Sequence, residues 1–136
     1  LTIKNHKIAI NICYEDVFGN EIIKPLPKAN ILVNLSNDAW YGESIASQQH
    51  LQISQARAIE TGRMMVRATN TGATAIINTD GKLIKQLPLF KEGTLNGYVQ
   101  GYEGETPYIK YGNFPIIILS FLIFLYCLFK RKISKK

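Results

Sequence analysis

A run of sixteen residues with no charged side chain, Phe114–Phe129, is the feature that most constrains how this chain can fold. Its one clearly polar residue is Ser120, whose hydroxyl can bond back to the helix backbone. A surface this apolar is driven out of water, either into a lipid bilayer or into a protein core. The run is apolar on all faces and ends in a basic cluster, which favours a membrane-spanning helix over a buried core helix.

The residues that flank this run favour one orientation in the membrane. A span needs about 20 residues, with a range of roughly 17–25, so flanking side chains have to extend it. Tyr108, Tyr111 and Tyr126 can lie at the membrane interface, and the lysines can snorkel toward it. By the positive-inside rule, the basic cluster predicts a cytoplasmic C-terminus, with the residues before Phe114 on the opposite side. In a bacterium that side is the periplasm. The cluster consists of Lys130, Arg131, Lys132, Lys135 and Lys136.

The net charge of +6 does not indicate a nucleic-acid-binding protein once the charges are located. Five of the sixteen basic residues follow the apolar run, so residues 1–129 hold eleven basic and ten acidic side chains. A nucleic-acid surface would place its basic residues along a groove or a helix face of the folded part. We therefore expect a membrane as a partner and no nucleic acid.

The residues before the span have the pattern of an α/β layered domain. The first two predicted strands are apolar almost throughout, which is typical of strands buried on both faces. The best helix candidate begins at Ser47 and ends at Thr61, with Gly62 in the C′ position. The pair Asp80-Gly81 predicts a two-residue hairpin. The predicted strands are Lys7–Ile12, Asn30–Leu35, Met64–Ala68, Ala73–Thr79, Lys82–Leu87 and Thr94–Gly101.

Cys13 ends the first predicted strand and is the candidate nucleophile. A strand is a rigid support, and a turn at its end can expose the sulfur to a pocket. Thiols act as nucleophiles when a partner removes the proton and the oxyanion is stabilised. The alternative is a buried cysteine that packs as a small hydrophobe. Tyr14 and Glu15 follow at once, and Glu15 either orients a reacting group or is a surface carboxylate.

A second polar cluster, Ser36–Gly42, follows the second predicted strand. Strands of layered α/β sheets bring such clusters together where they end on the same edge. Asn37 and Trp40 are therefore candidate substrate-binding residues, although a helix cap and turn would use the same residue types. His50 could form a Cys–His dyad, but on a helix it is more often a packed or capping residue. Arg67 is expected to pair with a carboxylate of the fold.

A set of motifs in a fixed order extends over nearly the whole chain. Together with the C-terminal span, it resembles the C-terminal part of the apolipoprotein N-acyltransferase family. These are membrane members of the nitrilase, or carbon–nitrogen hydrolase, superfamily. The motifs are Ile12–Glu15, Ser36–Gly42, Gln49-His50, Ala56–Glu60, Arg67–Gly72 and Asp80-Gly81.

The resemblance implies an αββα sandwich domain in the periplasm, between the last two of several membrane helices of the bacterial inner membrane. It also implies a Glu–Lys–Cys triad with Cys13 as the nucleophile and with Tyr14 and Glu15 in supporting positions. The catalytic Glu and Lys belong upstream of Leu1, so we expect a C-terminal fragment that is inactive alone. No cofactor and no metal ion are implied.

The implied reaction moves an acyl chain from a membrane phospholipid, through a cysteine thioester, to an amine. The acceptor is the N-terminal amine of a diacylglyceryl-modified apolipoprotein. Two alternatives remain open: a membrane-anchored nitrilase-like amidase, and a non-catalytic remnant. The predicted divisions are the C-terminal part of a nitrilase-like domain (1–102), a linker (103–113), a transmembrane helix (114–129) and a basic cytoplasmic tail (130–136).

Overall fold

The computed structural model of the protein describes residues 1–133 and contains one six-stranded sheet whose spatial order follows the chain order. Lys135 and Lys136 of the predicted basic tail lie outside the described residues. The strands are β1 (Thr2–Ile3), β2 (His6–Ile12), β3 (Ile31–Ser36), β4 (Met65–Thr69), β5 (Ala75–Ile77) and β6 (Leu83–Gln86). The helices are α1 (Gly19–Ile22), α2 (Ala46–Thr61), α3 (Pro107–Tyr111) and α4 (Phe114–Ile133).

The middle of the sheet is parallel, and this determines where the polar clusters meet. β2 pairs with β3 and β3 with β4 in parallel, whereas the other three pairings are antiparallel. The carboxyl ends of β2, β3 and β4 therefore lie on one edge of the sheet. The segments that follow these strands begin at Cys13, Asn37 and Asn70. The predicted convergence of the first two clusters is confirmed.

Helix α2 covers one face of the sheet. The predicted helix is confirmed, and Gly62 ends it in the left-handed conformation at φ 58°. Leu51 and Ala58 of α2 are buried in the core cluster, which also contains Leu32 and Met65 of the sheet. Apolar burial of this kind is the main contribution that holds a helix against a sheet.

The opposite face of the sheet is open, so the prediction of strands buried on both faces is wrong for this chain. Ile10 and Ile12 of β2 are 47% and 53% exposed, and Leu35 of β3 is 43% exposed. Within the described residues, α2 covers the other face of these strands and no second layer covers this one. In an αββα sandwich a second sheet would pack on this apolar face.

Two further predictions of local structure need correction. The turn between β5 and β6 is not a two-residue hairpin, because Asn78 donates to the carbonyl of Lys82 and so encloses three residues. Only Gly81 has positive φ there, at 79°, which suits a three-residue loop with a bulge. Residues 94–101 form no strand; the Gln100 amide donates to the Met64 sulfur instead of to a neighbouring strand.

The residues after 102 lead from the domain into the apolar helix. Arg63 donates to the Gly104 carbonyl, and the Thr106 hydroxyl donates to the Glu60 carbonyl at the end of α2. Thr106 also caps α3 by accepting from the Ile109 amide. These contacts anchor the predicted linker on α2.

Helix α4 is the one helix of the described residues that is long and apolar enough to cross a membrane. It begins at Phe114, as predicted, and its 20 residues include Lys130 and Arg131 of the basic cluster. At about 1.5 Å per residue it is about 30 Å long, which matches the hydrocarbon thickness of a bilayer. Ser120 bonds back to the Ile116 carbonyl at 2.7 Å, as expected from the sequence.

Candidate active site

Cys13 lies at a sharp turn between β2 and a short 3₁₀ helix, Cys13–Val17. Its backbone adopts φ 52°, a left-handed conformation that is uncommon for a residue with a side chain. The Glu15 carboxylate closes the turn by accepting the Ile12 amide at 2.6 Å. Cys13 is half-buried, so the turn leaves part of the residue accessible from outside the protein.

Beneath this turn, three polar side chains form a row across the parallel strands. Asn11 of β2 is paired in register with Asn34 of β3, and Asn34 with Arg67 of β4. Asn34 donates through Nδ2 to both the Asn11 side-chain oxygen and the Cys13 carbonyl, and Arg67 donates to Asn34 Oδ1 at 3.0 Å. All three side chains are buried, so the row supports the turn at Cys13 from inside the protein.

His50 of α2 is packed under the same turn between two carboxylates. Its Nε2 lies 2.9 Å from Asp16 Oδ1 and 3.2 Å from the carbonyl oxygen of Cys13. Its Nδ1 lies 3.3 Å from Asp38 Oδ1. Both ring nitrogens are thus engaged by oxygen atoms, and the ring contacts the backbone of Cys13. The structure therefore favours the packed role for His50 over a Cys–His dyad.

Arg67 pairs with both carboxylates that flank His50. Its Nη2 lies 3.0 Å from Asp38 Oδ2, and its Nη1 lies 3.4 Å from Asp16 Oδ2. Ser54 lies one helical turn after His50 and links the same groups, since it donates to Asp16 and accepts from Arg67. The prediction that Arg67 pairs with a carboxylate of the fold is confirmed. Within the described residues, no group of three or more His, Cys, Asp or Glu side chains could hold a metal ion.

The second cluster lies beside this network. Asn37 accepts the Ala39 amide and the Asn70 side-chain amide at 3.2 and 2.7 Å, so its oxygen holds the loop together. Gly72 allows the loop after β4 to approach Asp38, because a Cβ added there would lie 2.0 Å from Asp38 Oδ2. Trp40 is 87% exposed, which leaves its ring free to contact another molecule.

Aromatic side chains surround the turn on its outer side. The Tyr14 ring contacts the edge of Phe18 at 6.1 Å and lies 6.3 Å from the His50 ring, and Tyr41 packs edge-on against His50 at 6.4 Å. Burial raises the pKa of the Tyr41 hydroxyl, and negative charge on Cys13 and on Asp38 raises it further. These causes hold the Tyr41 hydroxyl in its neutral form.

Sequence reasoning missed four members of the network, Asn11, Asp16, Asn34 and Ser54. One signal was present, since a buried apolar strand rarely carries an asparagine unless a partner satisfies its amide. Ser54 also follows His50 by four residues, which places both side chains on the same helix face.

Residues 1–108 match the carbon–nitrogen hydrolase family. The chain belongs to this family. Over 125 residues it is 54% identical to an apolipoprotein N-acyltransferase of Nitrosomonas europaea. The aligned residues cover 92% of this chain and 25% of that relative. Over 113 residues it is also 59% identical to an apolipoprotein N-acyltransferase of Neisseria meningitidis. That alignment covers 83% of this chain and 22% of the relative. The chain thus spans about a quarter of the length of these curated relatives.

Solved structures confirm the fold. A carbon–nitrogen hydrolase from Helicobacter pylori superposes with a TM-score of 0.57 at 15% identity, over 66% of this chain and 39% of that one. An amidase from Nesterenkonia superposes with a TM-score of 0.53 at 17% identity, over 68% and 37%. At such low identity these similarities establish the nitrilase-type α/β fold and nothing about the reaction.

Proposed function

We propose that this chain is the nucleophile-bearing C-terminal part of a membrane N-acyltransferase. The observation that carries the proposal is the turn at Cys13, which is held from inside by the Asn34–His50 network and is half-buried at its surface. The relatives named apolipoprotein N-acyltransferase support this reaction over other reactions of the family. The sequence resemblance adds a catalytic Glu and Lys upstream of Leu1.

The chemistry proceeds in two halves. The Cys13 thiolate attacks the ester carbonyl of a phospholipid, the carbon–oxygen bond breaks, and a lysophospholipid leaves after its oxygen takes up a proton. The α-amine of a diacylglyceryl-modified apolipoprotein then attacks the thioester. The carbon–sulfur bond breaks, an amide forms, and the amine proton is released. Such an intermediate divides one difficult step into two easier ones.

The residues of this chain have defined parts in the proposal. Cys13 is the nucleophile, Glu15 closes the turn that presents it, and Tyr14 forms the adjoining aromatic wall. Trp40 and Asn37 lie on the second cluster, where an exposed indole can contact an acyl chain and the asparagine holds the loop. Deprotonation of the thiol and stabilisation of the oxyanion fall to the upstream Glu and Lys.

Helix α4 supports a membrane location for this site. We propose that it crosses the inner membrane with the domain in the periplasm and the basic end in the cytoplasm. The acyl donor and acceptor would then reach the site by lateral diffusion. The division into a domain (1–102), a linker (103–113), a span (114–129) and a tail (130–136) remains part of this proposal.

The test is acyl transfer from labelled phospholipid to a lipoprotein by the full-length protein that contains this sequence. Cys13→Ser should abolish transfer, whereas Cys127→Ser, which changes an exposed thiol of α4, should retain it. Transfer that survives Cys13→Ser would overturn the nucleophile assignment. Turnover of a small amide without lipid would instead support the amidase alternative. Robust transfer by the isolated 136-residue chain would contradict the requirement for upstream residues.

A further inference from the structure

Within the described residues, the two nitrogens of the buried His50 ring face only hydrogen-bond acceptors. Nε2 faces a carboxylate oxygen of Asp16 and the Cys13 carbonyl, and Nδ1 faces a carboxylate oxygen of Asp38. A carbonyl oxygen cannot donate, and a neutral imidazole carries only one N–H. A neutral ring would therefore direct a lone pair at one of these oxygens.

Each of the two carboxylates already accepts hydrogen bonds from two other side chains. Asp38 accepts from the Ser36 hydroxyl and from Arg67, and Asp16 accepts from the Ser54 hydroxyl and from Arg67. Neither therefore needs a proton of its own to satisfy its neighbours, and both fit the ionised form.

With both carboxylates ionised, the charges of this buried group balance when His50 is protonated. Asp16 and Asp38 bring two negative charges, and Arg67 supplies one positive charge. These three side chains are fully buried and His50 is 3% exposed, so an uncompensated charge would be costly. An imidazolium at His50 supplies the second positive charge and donates from both nitrogens.

We propose that His50, as a doubly protonated imidazolium, is a positioning residue for Cys13. Its single Nε2–H is shared between Asp16 Oδ1 at 2.9 Å and the Cys13 carbonyl at 3.2 Å. The same carbonyl accepts from Asn34 Nδ2, so both side chains hold the peptide that follows the left-handed Cys13. The direction of the thiol is thereby set from inside the protein, without contact between His50 and the substrate. This inference rests on the proposed role of Cys13 as the nucleophile.

The groups that face the imidazole come from every element packed around it. They are Asp16 and Tyr14 of the 3₁₀ helix, Cys13 at its start, Asp38 and Tyr41 after β3, and Arg67 of β4. The Tyr14 and Tyr41 rings lie beside the imidazole, with centroid distances of 6.3 and 6.4 Å.

Solid-state NMR of the full-length protein in lipid tests the protonation state without any activity assay. Protein labelled with ¹⁵N-histidine and with ¹³C at the cysteine carbonyls should show two protonated ring nitrogens for His50, with Nε2 dipole-coupled to the Cys13 carbonyl carbon. The signal is assigned by its loss in His50→Gln. An unprotonated ring nitrogen, or the absence of the coupling, would refute the inference and leave the proposed function untouched.

Kinetics test the positioning role separately. His50→Gln retains a donor but loses the charge, and it should lower kcat by about 10- to 100-fold, since small misplacements of a reacting group have effects of this size. The KM for phospholipid should stay unchanged. Gln48→Ala, an exposed position on the same helix, is the matched control. A kcat for His50→Gln equal to that of the control, or an effect on KM alone, would overturn the positioning role. If His50→Gln does not fold, the coupling measured in the unmodified protein decides.

Discussion

Removal of Arg67 is expected to be the most destabilising single change in the domain, because Arg67 supplies the positive charge shared by two buried carboxylates. In Arg67→Met the side chain stays similar in length, but Asp38 loses its partner at 3.0 Å and Asp16 its partner at 3.4 Å. Breaking one buried pair costs about 3–5 kcal/mol, whereas a whole domain is stable by about 5–15 kcal/mol. We therefore expect Arg67→Met to lower the free energy of unfolding by at least about 3 kcal/mol.

Hydrogen exchange measures this loss locally, at the strands that carry the network, and does not require a two-state global transition. A loss of about 3–5 kcal/mol corresponds to roughly 10²- to 5 × 10³-fold faster exchange for the slowest amides of β3 and β4. Arg67→Lys keeps the charge but loses the fork that reaches both carboxylates, so its exchange should lie in between.

The control for this prediction is Lys82→Met, which removes an exposed ion pair of 2.8 Å with Asp80. Exchange in β3 and β4 should be unchanged in this variant, because exposed pairs contribute little to stability. Equal exchange in Arg67→Met and Lys82→Met would refute the reasoning that Arg67 compensates the buried carboxylates.

Three further predictions follow from the same geometry. Gly72→Ala should impair folding or activity, because the added Cβ would collide with Asp38. Thermal inactivation checks this, and an unchanged inactivation profile would contradict the close approach of Gly72 to Asp38. The pKa of Tyr41 should lie above its ordinary value, and Cys13→Ser should lower that pKa only in part, because burial is the main cause of the shift. ¹³C NMR of labelled tyrosine measures the pKa in the unmodified protein and in the variant. A normal pKa in the unmodified protein would contradict the burial of the Tyr41 hydroxyl. Leu122 lies near the middle of α4, so Leu122→Arg should disfavour membrane insertion by about 3–4 kcal/mol relative to the unmodified helix. A glycosylation-based insertion assay measures this difference with Leu122→Ile as the control, and equal insertion of the two variants would contradict the prediction.

The elements that could be predicted from sequence are those whose signals are local. The helix that ends at Gly62 has a left-handed cap directly after its last turn, and the apolar run at Phe114 has no polar face. Cys13 and Ser36 could be placed on one edge because parallel strands align their carboxyl ends. Each of these inferences needs only neighbouring residues and one rule of topology.

The parts that could not be predicted depend on side chains far apart in the chain. Asp16, His50 and Arg67 meet because two strands, a helix and a turn converge, and no spacing in the sequence encodes this contact. The strand predicted at Thr94–Gly101 fails for a related reason. An extended apolar segment forms a strand only when a neighbour offers a free edge, and here the Gln100 amide meets the Met64 sulfur.

If the acyl group passes through the sulfur of Cys13, mass spectrometry should locate it on that residue. Full-length protein that has reacted with phospholipid and been quenched with acid should yield one acylated peptide, with the modification on Cys13 and sensitive to hydroxylamine. Cys127 should carry none. An acyl group found on another residue, or no covalent adduct while transfer continues, would rule out Cys13 as the residue that carries the acyl group.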